Sequence, residues 1–223
     1  MREIIAEFRE NKLDEELRGN WVMVLLHRGP SFPLIWIFSR IGVPAMAVSL
    51  LAGALALALP LLAWLPPVSA AGWLVFAGGM VFQILDCADG ALARLTGTGS
   101  RLGAKMDFLI DMAQWGLLYA AIGILADRQF GDWSWTALAL AAAWIRLYVR
   151  LVRDELQHGS TPEKNRPFQL GEIPVASIAG LSGAIPFLAL FGSWLDVAVW
   201  MLVAYALLDL ADTLFTTLMR ASR

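Results

Sequence analysis

Four aspartates, Asp86, Asp89, Asp107 and Asp111, hold the most legible chemistry in this chain, because they lie in or beside long apolar stretches where a carboxylate is costly. Asp86 and Asp89 are three residues apart and Asp107 and Asp111 four, so each pair shares one face of a helix. A short antiparallel turn between the helices would bring the pairs together. Four uncompensated carboxylates repel one another, and bound cations are the natural remedy. Hard oxygen ligands suit Mg²⁺ or Mn²⁺, and two such ions about 4 Å apart can clamp both sides of a phosphoryl displacement. Gly90 leaves room for a ligand beside Asp89, and Gly103 opens the return helix in the same way. In the intervening turn, Arg94 and Arg101 offer guanidinium forks that can hold a pyrophosphate oxygen.

The elements that must position these groups are membrane helices. Hydrophobic residues make up 58% of the 223, charged residues only 16%, and there are ten Trp, with a mean hydropathy of +0.63. Apolar stretches over 44–64, 70–93, 103–126, 133–155, 170–191 and 195–218 are each close to the length of about 20 residues that crosses a bilayer as a helix. Segment 1–30 alternates charged and apolar residues through Phe8, Leu13, Leu17 and Trp21, which suits an amphipathic helix in the headgroup layer, and 31–43 is expected to extend that layer. Pro44 then opens the first span. The expected fold is all-α: one membrane domain over 1–223, with a juxtamembrane segment 1–43 and a six-helix transmembrane bundle over 44–219.

With an even number of spans and an inside N-terminus, every Lys and Arg except Arg128 falls on one side. That side is expected to be cytoplasmic, placing the aspartates at the cytoplasmic edge of a cell inner or plasma membrane. A net charge of −2 argues against a nucleic-acid partner. The single cysteine, Cys87, cannot form an intrachain disulfide and reads as a small helix residue. Met1 to Arg9 lack the unbroken apolar core and cleavage site of a signal peptide.

The pattern Asp86-x2-Asp89-Gly90-x2-Ala93-Arg94-x8-Gly103-x3-Asp107-x3-Asp111 resembles the diagnostic motif of the CDP-alcohol phosphotransferases at every fixed position. The six-span layout and amphipathic N-terminal helix are also similar to that family. The resemblance implies that Asp86, Asp89 and Asp107 bind metal, and that Asp111 binds the second ion and accepts the proton of the attacking hydroxyl. It implies that Gly90, Arg94 and Ser100 contact the CDP part of the donor. The implied reaction, in phospholipid biosynthesis, is attack by a polar or lipid alcohol on the β-phosphorus of a CDP-linked lipid or alcohol, probed most directly with CDP-diacylglycerol, releasing CMP. Members are commonly homodimers. Many open their first span with a Pro-Asn-x-x-Thr-like stretch, whereas this chain reads Pro44-Ala45-Met46-Ala47-Val48-Ser49, leaving Ser49 as the polar substitute.

Arg146, Arg150 and Arg153 form one stripe beside Tyr148, ahead of Lys164 and Arg166. Two readings stand: an ordinary positive border snorkelling to lipid phosphate, or a pocket for an anionic acceptor such as inositol phosphate or glycerol phosphate, since Leu147-Tyr148-Val149-Arg150 resembles the corresponding span end of family members that use phosphorylated polyols such as inositol phosphate. Asp209 and Asp212, three apart in the last span, could extend a polar cavity or pair with an arginine, and interior pairing is the preferred expectation. His27 and His158 lack partners at ligand spacing and read as solvated or hydrogen-bonded. Trp64, Trp73, Trp133, Trp135, Trp194 and Trp200 suit an interfacial belt, and Ala52–Ala58, Gly180 and Gly183 suit close helix packing. Two other classes use membrane carboxylates. Aspartate-rich prenyltransferases lack the Gly and Ala-Arg placed as here, and a divalent-cation transporter would place its acids near the midplane.

Overall fold

The computed structural model describes residues 1–157 and 180–221. Among them the chain is helical: α1 (Arg2–Asn11), α2 (Leu13–Gly19), α3 (Trp21–Ile41), α4 (Ala45–Trp64), α5 (Val68–Thr96), α6 (Arg101–Phe130), α7 (Ser134–Gln157), a 3₁₀ segment Gly180–Leu190, and α8 (Leu195–Ala221). Six of these are long and apolar enough to cross a membrane, namely α3 to α7 and the stretch Gly192–Leu218. The number matches expectation, but the set differs. Trp21–Ile41 qualifies by length and composition, although it lies within the segment read as juxtamembrane. Of the expected span 170–191, the part before Gly180 lies outside the described residues, as do His158, Lys164 and Arg166; the remainder is the short Gly180–Leu190 helix.

Helix boundaries follow from glycine and capping chemistry. Gly42, at φ +72°, ends α3 in the left-handed conformation, with the Val43 amide returning to the Phe38 carbonyl at 3.0 Å. Gly97, at φ +65°, ends α5 similarly, and the Thr98 amide donates to the Ala93 carbonyl at 3.0 Å. Two residues later, the Ser100 hydroxyl accepts from the Gly103 amide at 3.0 Å and caps the start of α6. The turn joining the two acidic helices is therefore specified residue by residue.

The chain divides into two compact units, with α4, α5 and α6 contributing residues to both. The first comprises Met1–Ala58, Ala77–Ala113 and Lys164–Phe187. Within it, Ile4 of α1 packs with Ile35 of α3 and with Ala88 and Ala91 of α5, while the Phe8 ring lies 5.8 Å from that of Phe32. Small residues permit close approach: a Cβ on Gly53 would lie 3.3 Å from Ile110, one on Gly183 3.1 Å from Val22, and one on Gly180 would overlap the Trp21 indole.

The second unit comprises Leu59–Phe76, Gln114–Glu163 and Leu188–Arg223. Here α6 and α7 are joined through Asp127. Its carboxylate accepts from the Trp135 and Thr136 amides at 3.0 and 3.1 Å and from the Thr136 hydroxyl, capping α7 from the preceding helix. In the intervening loop Asp132 accepts from the Ser134 hydroxyl and amide, which hold its carboxyl below the usual range. Arg128 donates to the Ala63 and Pro66 carbonyls at 2.5 and 2.7 Å, satisfying the end of α4. Trp64 and Trp133 stack at 5.3 Å.

Candidate active site

The four aspartates lie in the first unit, two near the end of α5 and two near the start of α6. One carboxylate oxygen each from Asp86, Asp89 and Asp107 fall within 4.8 Å of one another. Such a group of oxygen donors, with Asp89 buried to 4% exposure, fits a hard divalent cation. Asp111 stands outside that three-residue group yet within electrostatic reach of Asp86 and Asp89.

Asp89 is held firmly. Its Oδ2 accepts from the Ser49 hydroxyl of α4 at 2.6 Å, and its Oδ1 from the Gly90 amide at 2.5 Å. Ser49 therefore does act as a polar group of the first span, but toward a carboxylate. Beside Asp89 opens a cavity of about 380 Å³ lined by Ser49, Asp89, Gly90, Arg94, Ser100 and Asp107, among others. All three residues expected at a CDP donor thus meet around one cavity with two of the expected metal ligands. Gly103 also lines it, where a Cβ would come to 3.2 Å of the capping Ser100 hydroxyl.

Three further residues at this site escaped the sequence reading. Arg28 of α3 forms an ion pair with Glu16 of α2, its Nε donating to Oε2 at 2.9 Å, and its Nη1 donates to the Cys87 carbonyl at 2.7 Å. Its charge acts on Asp86. Glu7 of α1 accepts from the Arg94 Nε at 2.6 Å. No periodicity reveals these pairs, and Arg28 falls in the segment expected to lie in the headgroup layer, where an arginine is ordinary; it stands out only once Trp21–Ile41 is seen to be a candidate span. His27, expected to be solvated or hydrogen-bonded, is fully buried in the π-helical turn Val24–Arg28.

A family model described as CDP-alcohol phosphatidyltransferase matches residues 43–208. This chain belongs to that family. Among proteins similar to this CDP-alcohol phosphatidyltransferase family member is the phosphatidylinositol phosphate synthase of Mycobacteroides abscessus, 32% identical over 143 residues, 62% of this chain and 63% of that protein. Another is the CDP-diacylglycerol–serine O-phosphatidyltransferase of Mycobacterium leprae, 27% identical over 119 residues, 53% of this chain and 40% of that protein. The chain thus spans less than two thirds of the curated relatives it matches. The crystal structure of Mycobacterium tuberculosis phosphatidylinositol phosphate synthase with CDP-DAG bound has a TM-score of 0.56 at 22% identity, over 83% of this chain and 92% of that one. At that identity the likeness is one of fold.

In the second unit the arginine stripe meets acids and aromatic rings. Arg146 pairs with Asp209 at 3.3 Å and lies over the rings of Trp115 and Tyr205, at 5.3 and 4.2 Å from their centroids. Arg153 bridges Asp209 at 2.7 Å and Asp212 at 2.9 Å. The expected pairing of both aspartates with arginines is what the structure contains. With Arg150 and Leu147, several of these residues line a small cavity of about 60 Å³.

Proposed function

We propose that this protein transfers a phosphatidyl or phosphoalcohol group from a CDP-alcohol, CDP-diacylglycerol being the preferred donor, to an acceptor alcohol, with release of CMP. The observation that carries this is the juxtaposition of three carboxylates within 4.8 Å with a cavity walled by Gly90, Arg94 and Ser100. The acceptor hydroxyl oxygen forms a bond to the β-phosphorus, and the bond from that phosphorus to the bridging oxygen breaks, so that CMP leaves.

Asp86, Asp89, Asp107 and Asp111 would hold two Mg²⁺ or Mn²⁺ ions, which when bound neutralise charge on the phosphate oxygens. Asp111 takes the proton of the attacking hydroxyl. Arg94 meets a pyrophosphate oxygen from the cavity wall, and Gly90 leaves the space a nucleotide needs. Asp89, fixed by Ser49 and by the Gly90 amide, is pre-oriented as a ligand. For the acceptor, the stripe Arg146, Arg150 and Arg153 is the candidate set for a phosphorylated polyol such as inositol phosphate or glycerol phosphate, with Asp209 and Asp212 offsetting part of its charge. The protein is read as a single membrane domain acting as a homodimer, its site facing the cytoplasm, consistent with the Lys and Arg distribution.

The test is CMP release by purified protein given Mg²⁺, CDP-diacylglycerol and a panel of alcohols, including inositol phosphate, glycerol phosphate and serine, with mass spectrometry of the lipid product. CMP appearing with one acceptor and its matching phosphodiester supports the assignment; absence of CMP with every acceptor refutes it.

A further inference from the structure

We propose that Glu7, on the N-terminal helix, is a positioning residue of the donor site, holding the Arg94 guanidinium over Gly90, an inference that rests on reading the cavity as the CDP-donor site. Arg94 is a long side chain at the cavity wall with 36% of its side chain exposed. Unrestrained, such a side chain samples many rotamers, and ordering it on ligand binding costs affinity. The Glu7 carboxylate removes that freedom from the Nε side, at 2.6 Å. The other end of the guanidinium is thereby set over the helix backbone, with Nη1 3.5 Å from where a Cβ on Gly90 would stand. Nε is thus taken by the carboxylate, while Nη1 stands beside Gly90 at the wall of the cavity that both residues line.

This is more than a solvated surface pair. Glu7 is only 16% exposed, and its Oε2 is buried with no hydrogen-bond partner among the described residues. A carboxylate withdrawn from water in this way is tolerated because a cation faces it. The helix carrying it is anchored on both sides of Glu7. Ile4, three residues before, packs on Ala88 and Ala91 of α5, and Phe8, the next residue, sits under the Arg28 guanidinium at 5.1 Å. The amphipathic segment therefore does two jobs: it lies against the membrane domain through its apolar face and sends one acid to the donor cavity.

A nearby negative charge also opposes an incoming pyrophosphate. At this partly exposed edge such repulsion is screened, whereas orientation is not, so the supporting effect is the larger.

The experiment measures the Kd of CDP with Mg²⁺ for the full-length purified protein and for Glu7→Gln, Glu7→Asp, Arg94→Lys and the double variant Glu7→Gln/Arg94→Lys, with Mn²⁺ affinity and Tm recorded for each. Glu7→Gln is expected to weaken CDP binding roughly tenfold, the scale of one charge-assisted hydrogen bond, with Mn²⁺ affinity unchanged. Glu7→Asp recovers most of the loss. The double variant binds CDP no more weakly than Arg94→Lys alone, because Glu7 acts through Arg94. CDP binding by Glu7→Gln equal to or tighter than that of the unmodified protein overturns the proposal, as do additive losses in the double variant. Failure of the unmodified protein to bind CDP overturns the donor-site reading itself, and is distinguished because it appears before any substitution is made.

Discussion

Removing the Ser49 hydroxyl isolates one support of the metal-ligand set. That hydroxyl has a single proton and two acceptors within range, Asp89 Oδ2 at 2.6 Å and the Ala45 carbonyl at 3.3 Å, and the shorter contact to the charged oxygen takes it. In Ser49→Ala, Asp89 keeps only the bond from the adjacent Gly90 amide at 2.5 Å, which is local and survives the change. A hydrogen bond to a charged group contributes about 1.5–3 kcal/mol. Loss of a residue that orients a metal ligand typically costs about 10–100-fold in metal affinity. The two scales agree, since about 1.4 kcal/mol corresponds to a factor of ten. Ser49 lines the cavity, so water can partly replace the hydroxyl, and the expected loss is toward the low end, about tenfold. The assay is titration of purified protein with Mn²⁺, read by electron paramagnetic resonance, with Ser49→Thr as the control that keeps a hydroxyl. Unchanged Mn²⁺ affinity in Ser49→Ala, or an equal loss in Ser49→Thr, would refute the reasoning.

Other perturbations test the frame. Arg28→Met leaves Glu16, with 10% of its side chain exposed, facing no guanidinium, and should lower stability by about 3–5 kcal/mol in denaturant titration; Arg28→Met/Glu16→Leu should recover much of this. Gly123→Ala places a Cβ 2.7 Å from Thr136 Cα and 3.0 Å from the Trp135 carbonyl, contacts with backbone that cannot swing away, and should cost about 1–3 kcal/mol, seen as a lower Tm. Asp209→Asn should lower Tm more than Asp212→Asn. Asp209 holds Arg146, both 13% exposed, whereas the Arg153–Asp212 pair is 34% and 48% exposed and screened to about 0–1 kcal/mol. Equal losses would contradict that ranking.

Much of the site was legible because its information is local. Helical spacing put Asp86 with Asp89 on one face and Asp107 with Asp111 on another, and the short turn left little freedom in how they meet. The supports of those residues were not legible. Ser49 with Asp89, Arg28 with Glu16, and Glu7 with Arg94 join separate helices, and side chains that meet across such separations leave no periodic trace. The span Trp21–Ile41 was obscured for a different reason. Arg28, Pro30, Pro33 and Arg40 interrupt its apolar run, and the neutralisation of Arg28 by Glu16 becomes visible only once α2 and α3 are placed. Asp209 and Asp212 were read correctly as arginine partners because charges in the last span need counter-ions.

The packing of the N-terminal helices on the Gly180 region bears on how the protein is made. Ser182 donates to Asn20 across 162 residues of chain, the Trp21 indole fills the space above Gly180, and Val22 abuts Gly183. At ribosomal rates of about 5–20 residues per second, those partners emerge on the order of ten seconds after the N-terminal helices. Throughout that interval the aspartates of α5 and α6 can enter the bilayer while the helices bearing Glu7, Glu16 and Arg28 still lack part of their seat. A nascent chain stalled before residue 180 would carry every acid of the motif with that seat unfinished, so the N-terminal helices complete their packing only after the whole motif has been made.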